Sequence, residues 1–228
     1  MAQKRKVGNL LALAVLAVLI ERPMHRYEIA AVLKDRGKDR DMDIKWGSLY
    51  TVVQNLEKHG FLEVVGSERE GARPERVIYR LTEAGHAEAV DWTRELISTP
   101  EPEHHRFVAG LSIVAMIPPD DLITLLSVRL DRLAEQIADV RQEIAEQRDL
   151  IPRLFMIEAE FGAAMLEAEA EWVRGFRAEL TSGTFPGVEF WQRLHTENVL
   201  TPGEIGTIDF PEGMSPIERG DSDPPAGH

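Results

Sequence analysis

Residues 46–60 read WGSLYTVVQNLEKHG. Leu49, Val52, Val53 and Leu56 stand at i, i+3, i+4 and i+7, which makes one apolar stripe of a helix. At about 100° per residue, Thr51, Gln54, Asn55 and Lys58 fall on the opposite side. A solvated helix face usually carries Glu and Lys, whereas this one carries short amide and hydroxyl groups. Those groups suit base edges: Asn and Gln bond adenine through two atoms, Ser and Thr adapt, and the Thr methyl can touch thymine. Ser48, Thr51, Gln54 and Asn55 are therefore candidate base contacts, and Lys58 a candidate phosphate contact. Taken alone, the helix is also compatible with an ordinary solvated face.

The flanking sequence favours the first reading. Residues 8–20 form an almost wholly apolar run, predicting a helix central to a core. Pro23 ends it, and residues 25–35 predict a second helix burying Tyr27, Ile29, Ala30, Val32 and Leu33. Residues 37–45 have no apolar period and read as a loop. The opening stretch is the third helix, starting near Gly47-Ser48 and stopped by Gly60. FLEVV (61–65) and RVIYRL (76–81) predict a hairpin with a Gly- and Arg-rich tip. Thr82 then caps a fourth helix to about residue 97, with Glu83 in its first turn. Three helices followed by a hairpin make a winged helix-turn-helix.

The chain of 228 residues has a net charge of −13, which by itself argues against nucleic acid. The charge is unevenly placed. Residues 1–97 hold 16 Lys+Arg against 15 Asp+Glu, while residues 98–228 hold 10 against 24. The acidity belongs to the second half, so the first can present a basic face. Lys4, Arg5 and Lys6 read as a phosphate-binding arm, and Arg69, Arg73 and Arg76 as wing contacts to backbone or minor groove. The run LLALAVLAVLI after KRK imitates a signal peptide, but it is too short to span a bilayer and lacks a small-residue cleavage site. No membrane association is expected. The absence of cysteine suits a reducing, cytoplasmic setting and excludes disulfides, thiolate metal sites and Cys nucleophiles.

After STPEPE (98–103), a linker, the chain becomes helical and acidic. Residues 104–116 predict a short helix before Pro118-Pro119. Leu122, Leu126, Leu130, Leu133, Ile137, Val140 and Ile144 alternate spacings of three and four, the pattern of a coiled-coil seam on a helix from 120 to about 148. A second long helix opens at Pro152 and carries Phe161, Met165 and Trp172 along one side. These positions, Leu122 aside, are the candidate dimerisation residues; an intramolecular hairpin between the two helices is the competing reading, and the expectation is that both occur, the two helices packing on each other and on the partner's pair. Residues 104–199 thus predict an antiparallel long-helix dimerisation domain, and residues 200–228 a disordered tail. Trp92, Phe107 and Trp172 are candidates for an effector pocket, although aromatic residues at helical spacing also build cores.

Catalytic signatures are missing: there is no Gly-rich phosphate loop, no G-x-S-x-G elbow and no metal-spaced His pair. No enzyme activity, metal or cofactor is expected. PMHRYEIAAVL (23–33), GSLYTVVQNLEKHGFL (47–62) and EGARPERVIYRLTEAG (70–85) closely resemble the PadR-like family of bacterial transcriptional regulators. The resemblance implies a homodimeric winged-helix repressor on a pseudo-palindromic operator in double-stranded DNA. It also implies release by a small aromatic or apolar effector, phenolic acids in the founding case. By position it places Tyr27 and Glu28 in the second-helix motif, Ser48, Leu49 and Tyr50 in the recognition-helix motif, and Gly71, Arg73 and Pro74 in the wing. Tyr50 is thereby a candidate phosphate contact. The sequence departs at Arg26, where the family commonly has glycine, and at Trp46, where it often has proline. Arg26 adds a candidate phosphate contact. A coiled-coil adaptor that keeps the winged shape for protein contacts is the alternative function.

Overall fold

The computed structural model describes residues 5–38, 42, 44–68, 76–103 and 105–197, and structural statements below concern these residues. The chain divides into two compact units after Glu103.

The first unit is built around α1 (Leu10–Val18), whose residues Leu11 to Leu16 and Val18 are all buried. Asn9 starts it, its Oδ1 accepting from the Leu11 amide at 2.9 Å, so the helix is shorter than its apolar run. Strand β1 (Met24–His25) follows Pro23 and leads directly into α2 (Arg26–Asp35). A 3-10 turn over Trp46–Ser48 precedes α3 (Leu49–Lys58). Gly60, at φ 76°, turns the chain into β2 (Leu62–Glu68), which pairs with β3 (Arg76–Leu81) before α4 (Glu83–Ser98). The antiparallel sheet has the order β1-β3-β2, with Met24 opposite Tyr79, Leu62 opposite Leu81 and a bulge between Val64 and Gly66. Two residues are too few for any periodic signal, so β1 had no signature in the sequence.

Helices α1, α3 and α4 enclose one core with Met24, Ile29, Leu33, Leu56, Leu62 and Trp92. Helix α4 seats directly on the start of β2. The Thr82 amide donates to the Phe61 carbonyl at 3.1 Å, its hydroxyl donates to the Gly60 carbonyl at 2.7 Å, and Thr82 Oγ1 accepts from the Gly85 amide at 3.0 Å. Tyr27 is a correction to the expected core, since it is 59% exposed at the outer surface of α2.

The second unit holds α5 (Arg106–Ser112), α6 (Pro119–Gln147), α7 (Ile157–Ser182) and α8 (Val188–Thr196). Helices α6 and α7 form an antiparallel hairpin, with Leu122 beside Leu180 at one end and ion pairs Arg129–Glu169 and Arg141–Glu167 along it. Gly183 ends α7 in the left-handed conformation that a helix C-terminus favours. Helix α8 then folds back, and Trp191 Nε1 donates to the Ile117 carbonyl at 2.9 Å.

This arrangement corrects the expected seam at two positions. Leu126 and Leu133 are buried within the chain, and Leu130, Ile137, Val140 and Ile144 are half-buried. Within this unit α6 makes its most extensive helix contact with α7, its neighbour across a short connection, so Leu126 and Leu133 face the chain's own core rather than a partner. Phe161, Met165 and Trp172 lie otherwise: they are 68%, 50% and 51% exposed on α7.

Candidate nucleic-acid interface

Leu49, Val52, Val53 and Leu56 pin α3 to the core, which leaves Tyr50, Thr51, Gln54, Asn55 and Lys58 exposed on its outer side. Ser48 is half-buried, and its hydroxyl donates to the Lys45 carbonyl at 2.8 Å. That proton is committed to the turn before the helix, so Ser48 is left with acceptor capacity only. Gln54 Nε2 donates to the Tyr50 hydroxyl at 2.7 Å, one helical turn away.

A cluster of cations and rings adjoins this face. The Arg26 guanidinium lies 4.8 Å from the Tyr50 ring centre and 5.1 Å from that of Tyr27, and its Nη2 donates to the Tyr27 hydroxyl at 3.3 Å. Arg76, from β3, lies 5.9 Å from the Tyr27 ring and 3.5 Å from His25 Nε2. His25 itself caps α2 in a reciprocal capping box. Its Nδ1 accepts from the Glu28 amide at 3.2 Å, while the Glu28 carboxylate accepts from the His25 amide at 3.0 Å. That amide and the nearby Arg22 hold the Glu28 carboxyl below its ordinary range, against the opposing effect of burial. Arg26, Tyr27, Tyr50 and Arg76 therefore converge on one surface where α2, α3 and the hairpin meet.

Comparison with known proteins matches residues 15–91 to the Transcriptional regulator PadR-like family. Residues 15–91, all within the first unit, are thus similar to PadR-like transcriptional regulators. No curated protein matches its sequence. Among solved structures, PadR from Bacillus subtilis in complex with operator DNA is similar at 17% identity and a TM-score of 0.64, over 75% of this chain and 99% of that one. The same protein in complex with p-coumaric acid matches at 16% and 0.62, over 76% and 99%. The virulence activator AphA from Vibrio cholerae matches at 16% and 0.56, over 75% and 98%. At these identities the likeness is one of fold.

Within the PadR-like unit, Arg5 is a second correction. Its side chain is only 7% exposed and is not part of an arm. It bonds Glu88 at 2.9 Å, Asp91 at 3.2 Å and Glu95, and lies 5.2 Å from the Trp92 ring centre. Burial alone would lower the guanidinium pKa, but the three carboxylates outweigh it and raise it. The signal was legible in α4, where Glu88, Asp91 and Glu95 sit at i, i+3 and i+7 beside Trp92 and make a receptor for one cation. Lys6 is exposed. Lys4, Arg69, Arg73, Gly71, Pro74 and the tail from residue 200 lie outside the described residues.

The expected effector residues separate. Trp92 is buried in the core of the PadR-like unit beneath Arg5, so it lines no open pocket there. Phe107 and Trp172 meet edge-to-face in the second unit at 6.0 Å, and Arg129 stacks on Phe107 at 3.8 Å. Phe107 also lines an apolar groove of about 890 Å³ along α5 and the first half of α6, with Met116, Leu125, Val128, Arg129 and Arg132. Among the described residues no helix is long and apolar enough to cross a membrane.

Proposed function

We propose that this PadR-like regulator is a cytoplasmic homodimeric repressor that binds a pseudo-palindromic operator in double-stranded DNA. The observation that carries the reading is the outer face of α3, where Thr51, Gln54 and Asn55 are exposed beside the Arg26–Tyr27–Tyr50–Arg76 cluster. Thr51, Gln54 and Asn55 read base edges in the major groove, with Ser48 contributing as an acceptor. Lys6, Arg26, Lys58 and Arg76, with Lys4, Arg69 and Arg73 of the arm and wing sequence, contact backbone or minor groove. One winged module reads too few bases for high specificity, and two copies reading half-sites about 34–36 Å apart supply the remainder.

Dimerisation runs through the outward side of α7, where Ile157, Phe161, Met165 and Trp172 expose apolar surface, rather than through the α6 seam. The Phe107 groove takes a small aromatic or apolar effector, which shifts the dimer away from its DNA-bound arrangement. The p-coumaric acid complex of Bacillus subtilis PadR supports looking for such a ligand.

A salt series tests the reading. The protein is titrated with duplex from immediately upstream of its own gene and with random duplex. Tight, selective binding by a dimer is expected, with a log–log salt slope of about −0.9 per phosphate neutralised. Absence of binding even at low salt would instead favour the adaptor that works through protein contacts.

A further inference from the structure

Gln54 presents an amide whose two N–H groups point in different directions. Pairing with adenine uses the amide oxygen and the N–H on the same side, which together match the adenine N6 and N7 edge. The other N–H is left over. In this structure Nε2 donates to the Tyr50 hydroxyl at 2.7 Å, which occupies one N–H of the amide and leaves one N–H and Oε1 for a base edge. The terminal torsion of a glutamine is otherwise broad and nearly two-fold, so without such a bond the amide presents its two ends about equally.

Tyr50 is itself held. Arg26 stacks at 4.8 Å on its ring, and Arg26 is fixed in turn by Tyr27, through a stack at 5.1 Å and a hydrogen bond at 3.3 Å. Tyr27 carries Arg76 of β3 on its ring at 5.9 Å. A continuous line of contacts thus runs from the hairpin through the start of α2 to the middle of α3. Arg26, which stands where the family commonly has glycine, is the link between the two rings.

We propose that Gln54 is a specificity-determining residue for adenine in each half-site, and that Tyr50, clamped by Arg26, is the positioning residue that aligns its amide. The inference rests on the reading of α3 as the DNA-reading helix. Tyr50 acts through Gln54, so removing its hydroxyl alters which base is preferred without altering general affinity for DNA.

The test uses the full chain, a pool of duplexes with a randomised core whose bound members are sequenced, and a random duplex for affinity. Tyr50→Phe removes one exposed oxygen and keeps the ring under Arg26. It should weaken the adenine preference at one position per half-site by about 3- to 10-fold. Affinity for random duplex should stay within about twofold. Gln54→Ala should erase the preference at that same position, and adding Tyr50→Phe to it should change nothing further.

Three results overturn the inference alone: an unchanged preference in Tyr50→Phe, parallel losses on selected and random duplex, or an undiminished Tyr50→Phe effect in the Gln54→Ala background. Parallel losses would make the hydroxyl a phosphate contact. Unmodified protein that selects no sequence at all overturns the regulator reading, and this inference with it.

Discussion

Replacing Gly85 with alanine sets two effects of opposite sign against each other. Alanine is the better helix former by up to about 1 kcal/mol and restricts the unfolded chain, so propensity alone predicts a gain. Packing predicts a loss. A Cβ on Gly85 would lie 2.1 Å from the Phe61 carbonyl oxygen, 2.9 Å from Leu81 Cδ1 and 3.0 Å from the Phe61 carbonyl carbon. Ordinary contact lies near 3.5 Å, so α4 and the start of β2 must separate by roughly 1 Å. Backbone cannot rotate aside as a side-chain tip can. Overpacking of this kind costs about 1–3 kcal/mol.

The separation also strains the hydrogen bond that the same carbonyl accepts from the Thr82 amide, which contributes about 1 kcal/mol. Set against the propensity gain, the net loss is about 1–3 kcal/mol. Equilibrium urea unfolding would measure it, with amide exchange in the β2 and β3 peptides assigning the transition to the PadR-like unit. Gly175 in α7 supplies the control, because a Cβ there meets nothing within 4 Å. Gly175→Ala should stabilise its unit by about 0.5–1 kcal/mol. If Gly85→Ala behaves like Gly175→Ala, the close seating of α4 on Phe61 is wrong.

Other perturbations separate further roles. Asn55→Ala should cost about 1–3 kcal/mol on the selected duplex and little on random duplex, in parallel binding titrations; equal losses would remove Asn55 from the base contacts. Arg5→Met should lower the urea midpoint of the PadR-like unit, by about 1–3 kcal/mol, because Glu88 and Glu95 lose their shared cation. Random-duplex affinity should be unaltered by it, whereas an arm contact would weaken that affinity. Glu28 has a depressed carboxyl pKa, so its contribution to stability is present above the unfolded value near 4.5 and is lost as pH falls through the lower folded value. Glu28→Gln should accordingly be less stable than the unmodified chain at neutral pH, and the gap should close as urea midpoints are measured well below pH 4.5.

Periodicity alone settled much of this molecule. The stripe of Leu49, Val52, Val53 and Leu56 determines which side of α3 is buried, because a 3.6-residue repeat allows one apolar face, and Thr51, Gln54 and Asn55 must then face out. The apolar run of α1, the Thr82 cap and the stop at Gly60 are likewise local signals that local structure obeys. Contacts between segments distant in the chain are a different matter. Nothing near Arg5 in sequence reveals that its charge is taken up by α4, some eighty residues later, so an isolated basic run reads as an arm. Tyr27 sits at apolar spacing yet lies outside, because Arg26 and Arg76 provide a surface partner for its ring. The α6 seam is legible as a seam but not as to what covers each position: a heptad pattern specifies that a helix will cover it, and only the fold-back of α7 decides that Leu126 and Leu133 are covered by the same chain.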